Sequence, residues 1–178
     1  KRAASIGTIG IQSKNKKKEI KNTTLNPIEL SKIINDLGFK KIDHIILEAS
    51  SHGLKQNRLD GLSFDLGIFT NLSHDHLDYH KNFRDYLNSK LYLFKNLIKK
   101  GGHVILDSTI PQFKEIKKIS IKKRLKLETV FGKNSDLELV THIYKDEHQN
   151  LKIKYKSQLF EIRLNLIGKV QIKNILMA

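Results

Sequence analysis

Cysteine and tryptophan are absent from the 178 residues. Without cysteine there are no disulfides, no thiolate metal ligands and no cysteine nucleophile, and the composition suits a reducing compartment. No run approaches the roughly 18 consecutive apolar residues of a membrane-spanning helix, so none is expected. A methionine start is missing too: the chain begins at Lys1, and its one methionine is Met177. At the other end "GKVQIKNILMA" (168–178) reads as the opening turns of an amphipathic helix, with Val170, Ile172 and Ile175 apolar, and shows no C-cap signal. The expectation is a piece of a longer chain, with residues enough for one α/β domain and its core.

What is abundant is lysine. Lys and Arg number 33 against 18 Asp and Glu, a formal net charge of +15. Such a charge invites a nucleic-acid reading. Yet lysine comes with much isoleucine and asparagine, as drift toward A/T-rich codons produces. The basic runs "KNKKKEIK" and "IKKISIKKRLK" also carry no aromatics to stack on bases. No nucleic-acid partner is expected, and an anionic small molecule would use the same surface.

Periodicity predicts alternating strands and helices. "ASIGTIGI" (4–11) reads as a strand ending in a glycine turn, followed by a Lys-rich loop. In "NTTLNPIELSKIINDLGF" (22–39), Asn26 is an N-cap, Pro27 sits at N1 and Gly38 is a C′ stop, with Leu30, Ile33, Ile34 and Leu37 on one apolar face. "DHIILEAS" (43–50) and "FDLGIFTNL" (64–72) are buried strands that turn polar at their ends. "NFRDYLNSKLYLFKNLIKKGG" is a helix closed by Gly101–Gly102, "HVILD" (103–107) a third strand, and "IPQFKEIKKI" a helix. From "LETVFG" onward the alternation has period two, as in antiparallel strands. The fold class is α/β: a mostly parallel sheet flanked by helices, with a small antiparallel β portion near the C-terminus. Ligands of open parallel sheets sit beyond the carboxyl ends of strands. That places Glu48, Ser50 and Ser51, and Thr70 to His76, on one rim.

Residues 74–80 hold three histidines and two aspartates. His74, His80 and His44 read as solvated or strand-start residues. His76 lies between Asp75 and Asp78, and a carboxylate neighbour can fix the ring tautomer a metal needs. Histidine with oxygen donors suits zinc, and equally magnesium with phosphates. Taken alone, Glu48 reads as a helix cap or the partner of a lysine. Lys90, among Leu87, Leu91 and Phe94, points partly inward; most such lysines snorkel. A buried one has a lowered pKa, and its neutral amine can act as a nucleophile, for instance toward carbon dioxide.

"LEASSHGLKQNRLDGLSFDLGIFTNLSHDHLDYH" (47–80) followed by "YLNSK" (86–90) resembles the central domain of the Mur ligases, most nearly the branch that adds the third residue of the peptidoglycan stem peptide. "SIGTIG", "NTT" and "LIGKVQIKNIL" match in the same order, while residues 107–160 match in general layout. The resemblance implies a P-loop NTPase-like α/β fold. It implies a cytoplasmic, monomeric, ATP-dependent amide ligase acting on UDP-N-acetylmuramoyl-dipeptide and a diamino acid, with two Mg2+ ions and no membrane partner. Glu48 would bind one magnesium, and His76 with Lys90, as its carbamate, the second. Asn22, Thr23, Thr24, Ser50, Gln56 and Arg58 would contact the UDP-precursor, and Asn71 would face the nucleotide. His74 stands where the family often has Arg or Gln, and it is assigned no role. No glycine-rich phosphate loop ending in G-K-[ST] occurs. Residues 1–178 are thus expected to be a truncated central domain, without the upstream P-loop, the N-terminal UDP-binding domain or the C-terminal amino-acid-binding domain. The rivals are a sister ligase, one adding D-Ala-D-Ala or a folylpolyglutamate synthase, and a non-catalytic module binding UDP-linked precursors. "SSHGLKQNR" and "NTT" argue against the sister ligases. Whether the amine is meso-diaminopimelate or L-lysine is left open.

Overall fold

Gly7 and Gly10 bracket a two-residue turn that folds the first apolar run back on itself. Strand β1 (Ala3–Gly7) pairs antiparallel with β2 (Gly10–Ser13), and Gly10 has φ +92°, a conformation L side chains rarely adopt. The strand and glycine turn expected over 4–11 are therefore the first arm and bend of a hairpin, and the Lys-rich stretch, expected as a loop, adds a further strand, β3 (Lys16–Lys18). The computed structural model describes residues 2–14, 16–73, 77–145, 147–166 and 168–178. The chain divides into two units: Lys1–Ser63 with His74–Leu93, and Phe64–Ser73 with Phe94–Ala178.

The first unit holds a four-stranded sheet of order β3-β2-β1-β4, in which β4 (His44–Leu47) runs parallel to β1. Helix α1 (Pro27–Phe39) starts where its cap residues dictate. Asn26 Oδ1 accepts the Glu29 N–H at 3.0 Å, and Pro27 supplies the preset φ of a first helical position. Gly38 does not stop it. The helix runs on to Phe39, and the left-handed residue is Lys41, at φ 56°. Helix α2 (Ser51–Lys55) is capped by Ser50, and α3 (Phe83–Tyr92) by Asn82, whose Oδ1 accepts the Asp85 N–H at 2.9 Å.

A π-helical turn, Leu93–Leu97, follows α3, so the helix closes well before Gly101–Gly102, which lie inside the next strand. The second unit is a six-stranded sheet of order β10-β9-β8-β7-β6-β5. Its strands are β5 (Phe64–Phe69), β6 (Ile98–Asp107), β7 (Lys126–Phe131), β8 (Leu137–Lys145), β9 (His148–Tyr155) and β10 (Gln158–Leu164). The β5–β6, β6–β7 and β7–β8 pairs are parallel, and the last two are antiparallel, giving the expected mostly parallel sheet with an antiparallel tail. The "LETVFG" strand, β7, belongs to the parallel part. Helix α4 (Phe113–Lys123) supplies the crossover that returns the chain in that direction. Strands β4 and β5 sit in different sheets, so the two polar clusters expected on one rim do not share a sheet.

Helix α5 (Lys169–Met177) covers the antiparallel end. Ile172 and Leu176 are buried against Leu151 and Ile153, with Leu137, Leu139, Ile162 and Leu164 around them, while Val170 faces out. One polar contact pins this helix. Lys173 Nζ stands 2.7 Å from Asp107 Oδ2, on a carboxylate with no solvent exposure. Asp107 Oδ1 accepts the Thr109 N–H at 2.7 Å and its hydroxyl at 2.6 Å. Burial alone would raise the Asp107 pKa, but the bonds from Lys173 and Thr109 outweigh it and hold it below the ordinary value. No helix among the described residues is long and apolar enough to cross a membrane.

Breaking a buried pair from one side costs about 3–5 kcal/mol. Lys173 is partly exposed, so Lys173→Met should cost an amount near the low end of that range in urea unfolding. Because the folded Asp107 pKa is depressed, the stabilisation is present above the ordinary value of 3.8 and fades as pH falls through the folded value. A penalty for Lys173→Met that persisted undiminished in strong acid would contradict this.

Candidate functional site

The polar cluster of the first unit grows from the end of β4. Glu48 continues the ladder, its N–H donating to the Ile6 carbonyl at 2.8 Å. Its Oε2 accepts the Thr8 N–H at 2.8 Å and the Thr8 hydroxyl at 2.9 Å. Thr8 thereby spends its one hydroxyl proton, so across the 3.0 Å contact with Thr23 Oγ1 it is Thr23 that donates. Thr8, in the β1–β2 turn, is a site residue the sequence reading missed. The "SIGTIG" turn was its only signal. A side chain on Gly7 beside it would displace the Glu48 carboxylate, since a Cβ there would lie 2.5 Å from Glu48 Oε2.

Thr24 is the centre of a second set of bonds. It is buried, and its hydroxyl donates to the Glu48 carbonyl at 2.9 Å. The same oxygen accepts the Ser50 N–H at 2.9 Å and lies 3.0 Å from Ser50 Oγ, which must then be the donor. Ser50 Oγ in turn accepts the Gly53 N–H at 3.1 Å, capping α2. Arg58 Nη1 donates to the Thr24 carbonyl at 2.7 Å and its Nε to Gln56 Oε1 at 2.8 Å. Gln56 Nε2 donates to the Tyr79 hydroxyl at 2.9 Å. A guanidinium has five N–H donors, so these two bonds fix the Arg58 plane and leave donors for an anion.

Of the residues singled out from sequence, Thr23, Thr24, Glu48, Ser50, Gln56 and Arg58 thus share one hydrogen-bonded cluster. Asn22 is exposed just before it. Asn71 follows β5 in the other unit. His76, with His74 and Asp75, lies outside the described residues. Lys90 is half-buried in the last turn of α3, its Nζ 5.3 Å from the Tyr86 ring centroid, and burial pushes its pKa below the ordinary value. His80 departs from its solvated reading. It is 2% exposed, Nε2 is 3.0 Å from Ser51 Oγ, and its ring stacks on Tyr86 with centroids 4.9 Å apart.

Among the described residues no three His, Cys, Asp or Glu side chains gather as metal ligands. What Glu48 offers is a carboxylate with Oε2 held by Thr8, and such an oxygen donor suits magnesium, which keeps waters and phosphate oxygens as its other ligands. In the second unit a cleft of about 450 Å³ is lined by Ser108, Thr109, Phe113, Lys117, Thr129 and Lys133, among others, at the carboxyl ends of β6 and β7.

Residues 1–178 match the family described as the Mur ligase middle domain. A UDP-N-acetylmuramoyl-L-alanyl-D-glutamate--2,6-diaminopimelate ligase of Chelativorans sp. (strain BNC1) is 35% identical over 176 residues, 99% of this chain and 36% of that protein. A solved structure of a ligase with the same name superposes with a TM-score of 0.86 at 24% identity, over 99% of this chain and 36% of that one. A MurF ligase from Thermotoga maritima in complex with ADP gives 0.61 at 14% identity, over 76% of this chain and 31% of that one. At those identities the two structures speak for the fold. The chain spans little more than a third of the length of these relatives.

The packing of α2 on Thr24 makes a checkable contrast between two helical glycines. A Cβ on Gly53 would fall 2.5 Å from Thr24 Cγ2, whereas one on Gly38 would meet nothing within 4 Å. Gly53→Ala should therefore destabilise by about 1–3 kcal/mol, and Gly38→Ala should stabilise by up to about 1 kcal/mol. Urea midpoints of the two variants moving in the same direction would refute the Thr24 contact.

Proposed function

From the premise that the chain belongs to the Mur ligase middle domain family, we propose that it is the central domain of a longer, cytoplasmic, monomeric ligase that adds a diamino acid to UDP-N-acetylmuramoyl-L-alanyl-D-glutamate at the expense of ATP. A D-glutamyl carboxylate oxygen attacks the γ-phosphorus and ADP leaves. The amine of the diamino acid then attacks the acyl carbon, phosphate leaves, and the amine gives up a proton as the amide forms. Relatives about a third identical carry the 2,6-diaminopimelate ligase name, which favours that amine over L-lysine.

The observation that supports this reading most is the cluster joining Glu48, Thr24, Ser50 and Arg58. Arg58, its plane fixed by Thr24 and Gln56, presents donors to a carboxylate or phosphate of the precursor. Asn22, Thr23, Ser50 and Gln56 line the same contact. Thr24, buried and with its hydroxyl fully engaged, holds that surface from behind. Asn71 faces the nucleotide. Lys90, kept neutral more easily by burial, forms an N–C bond to carbon dioxide and releases a proton, leaving an anionic carbamate. Glu48 would hold one magnesium, and His76 with carbamylated Lys90 the second; when bound, the ions neutralise phosphate charge. A non-catalytic precursor-binding module would explain Arg58 but would have no use for the desolvated Lys90. The MurF likeness supports only the shared fold.

Two substitutions in the complete ligase test the roles separately. Lys90→Ala should nearly abolish turnover, and short carboxylates should restore part of it by supplying the lost oxygens. Near-normal activity of Lys90→Ala would end the carbamate reading. Arg58→Ala removes a charge-assisted contact of about 1.5–3 kcal/mol, or about ten- to 150-fold in affinity. It should raise KM for the UDP-precursor and leave the magnesium titration in place. A shifted magnesium curve with an unchanged precursor KM would reverse that assignment.

A further inference from the structure

His80 is a polar ring in a place where polar rings are costly, and the fold spends several contacts on it. Its Nε2 is 3.0 Å from the hydroxyl of Ser51, first residue of α2 and neighbour of Ser50. Its Nδ1 is 3.7 Å from Asp85 Oδ2, a carboxylate that also takes an ion pair from Lys55 and the Lys81 N–H at 3.2 Å. Tyr79 meets the ring edge-on at 5.1 Å, and His52 lies 5.6 Å away. On α3 the imidazole lies nearly parallel to the Tyr86 ring, 21° from coplanar. Tyr86 is itself 3% exposed. Lys90 is four residues further along the same helix, a spacing that puts both side chains on one face, and its Nζ stands over that ring.

We propose that His80 is a positioning residue for Lys90: anchored on Ser51 and stacked on Tyr86, it fixes the tyrosine ring over which the Lys90 nitrogen is held. The inference rests on the reading that Lys90 carries the reactive carbamate. Lysine has four rotatable side-chain bonds and no preset direction. A ring that cannot swing gives it one wall of defined position. The anchor through Ser51 ties that wall to the helix whose cap, Ser50, belongs to the Arg58 cluster. His80 thus couples the placement of Lys90 to the placement of the precursor contacts without touching either ligand.

The experiment compares the complete ligase with its His80→Gln and Ser51→Ala variants. Gln keeps a hydrogen-bonding group for Ser51 but loses the stack, and Ser51→Ala keeps the stack but loses the anchor. Carbamate is read directly from the carbonyl resonance formed with ¹³C-bicarbonate, beside kcat and KM for the precursor. The wild type is expected to show the resonance and Lys90→Ala to lack it. His80→Gln should lower the resonance and reduce kcat by about ten- to a hundredfold, the penalty of misplacing a catalytic group by about 1 Å, with precursor KM little changed. Ser51→Ala should show the same pattern, more weakly. If His80→Gln does not fold, Ser51→Ala decides: a full resonance and unchanged kcat there overturn the proposal. A folded His80→Gln variant with lowered stability but wild-type resonance and kcat also overturns it, leaving His80 a packing residue. Absence of the resonance from the wild type, with an active Lys90→Ala, instead overturns the carbamate reading and this inference with it.

Discussion

One buried hydroxyl carries the site. Thr24 has a single proton and two lone pairs to share, and all are used: the proton on the Glu48 carbonyl, the lone pairs on the N–H and hydroxyl of Ser50. These three bonds set where β4 stops, where α2 starts and how the loop before α1 lies against both. Arg58 is fixed through the carbonyl of the same residue. Leaving buried partners unsatisfied costs about 1–3 kcal/mol, so the arrangement is held by the fold and does not depend on a ligand to assemble it. Gly53 is the geometric consequence, since α2 passes so close to Thr24 that a Cβ there would force one of them to shift.

Electrostatics divides between contacts that shape the fold and contacts that decorate it. With 33 cationic side chains against 18 acidic ones and a net charge of +15, the carboxylates are too few to pair with every cation. The exposed Arg2–Asp43 and Lys40–Asp36 pairs belong to the class worth at most about 1 kcal/mol. Asp107 is different because its carboxylate is wholly buried. Its charge must be met by Lys173 and Thr109, which fixes α5 against the end of β6. A helix whose Ile172 and Leu176 bury apolar area gains direction from this one ion pair, since hydrophobic contact alone is non-directional.

What was legible in the sequence is what local chemistry decides. Asn26 and Pro27 announce the start of α1 because a cap and a first-turn proline act within a few residues. Gly38 misled because a glycine permits a stop without requiring one, and Lys41 took the left-handed conformation instead. Strand direction in β7 is set by the α4 crossover, which alternation within "LETVFG" cannot express. His80 was read as solvated because its burial depends on Ser51, 29 residues away, and on an aromatic face of a separate helix. Thr8 escaped for the same reason: its partner Glu48 is 40 residues off. Glu48 and Lys90 were reached through a family resemblance. Taken alone, neither exceeded the ordinary reading of a strand-end acid or a snorkelling lysine.

The proposed chemistry of Lys90 has a physical consequence for its surroundings. Burial disfavours the ammonium and so frees the amine that attacks carbon dioxide. The product carries a negative charge in the same partly desolvated place, where an uncompensated anion is as costly as the cation was. Burial therefore helps the first half of the modification and opposes the second. The carbamate persists only if cations stand against it, so on this reading Lys90 is modified fully only when a divalent ion can bind beside it. A neutral, buried amine and an oxygen ligand for magnesium are then two states of one residue. The Tyr86 face does not supply that compensation, because the negative face of a ring attracts the ammonium and not an anionic carbamate, so the cations must.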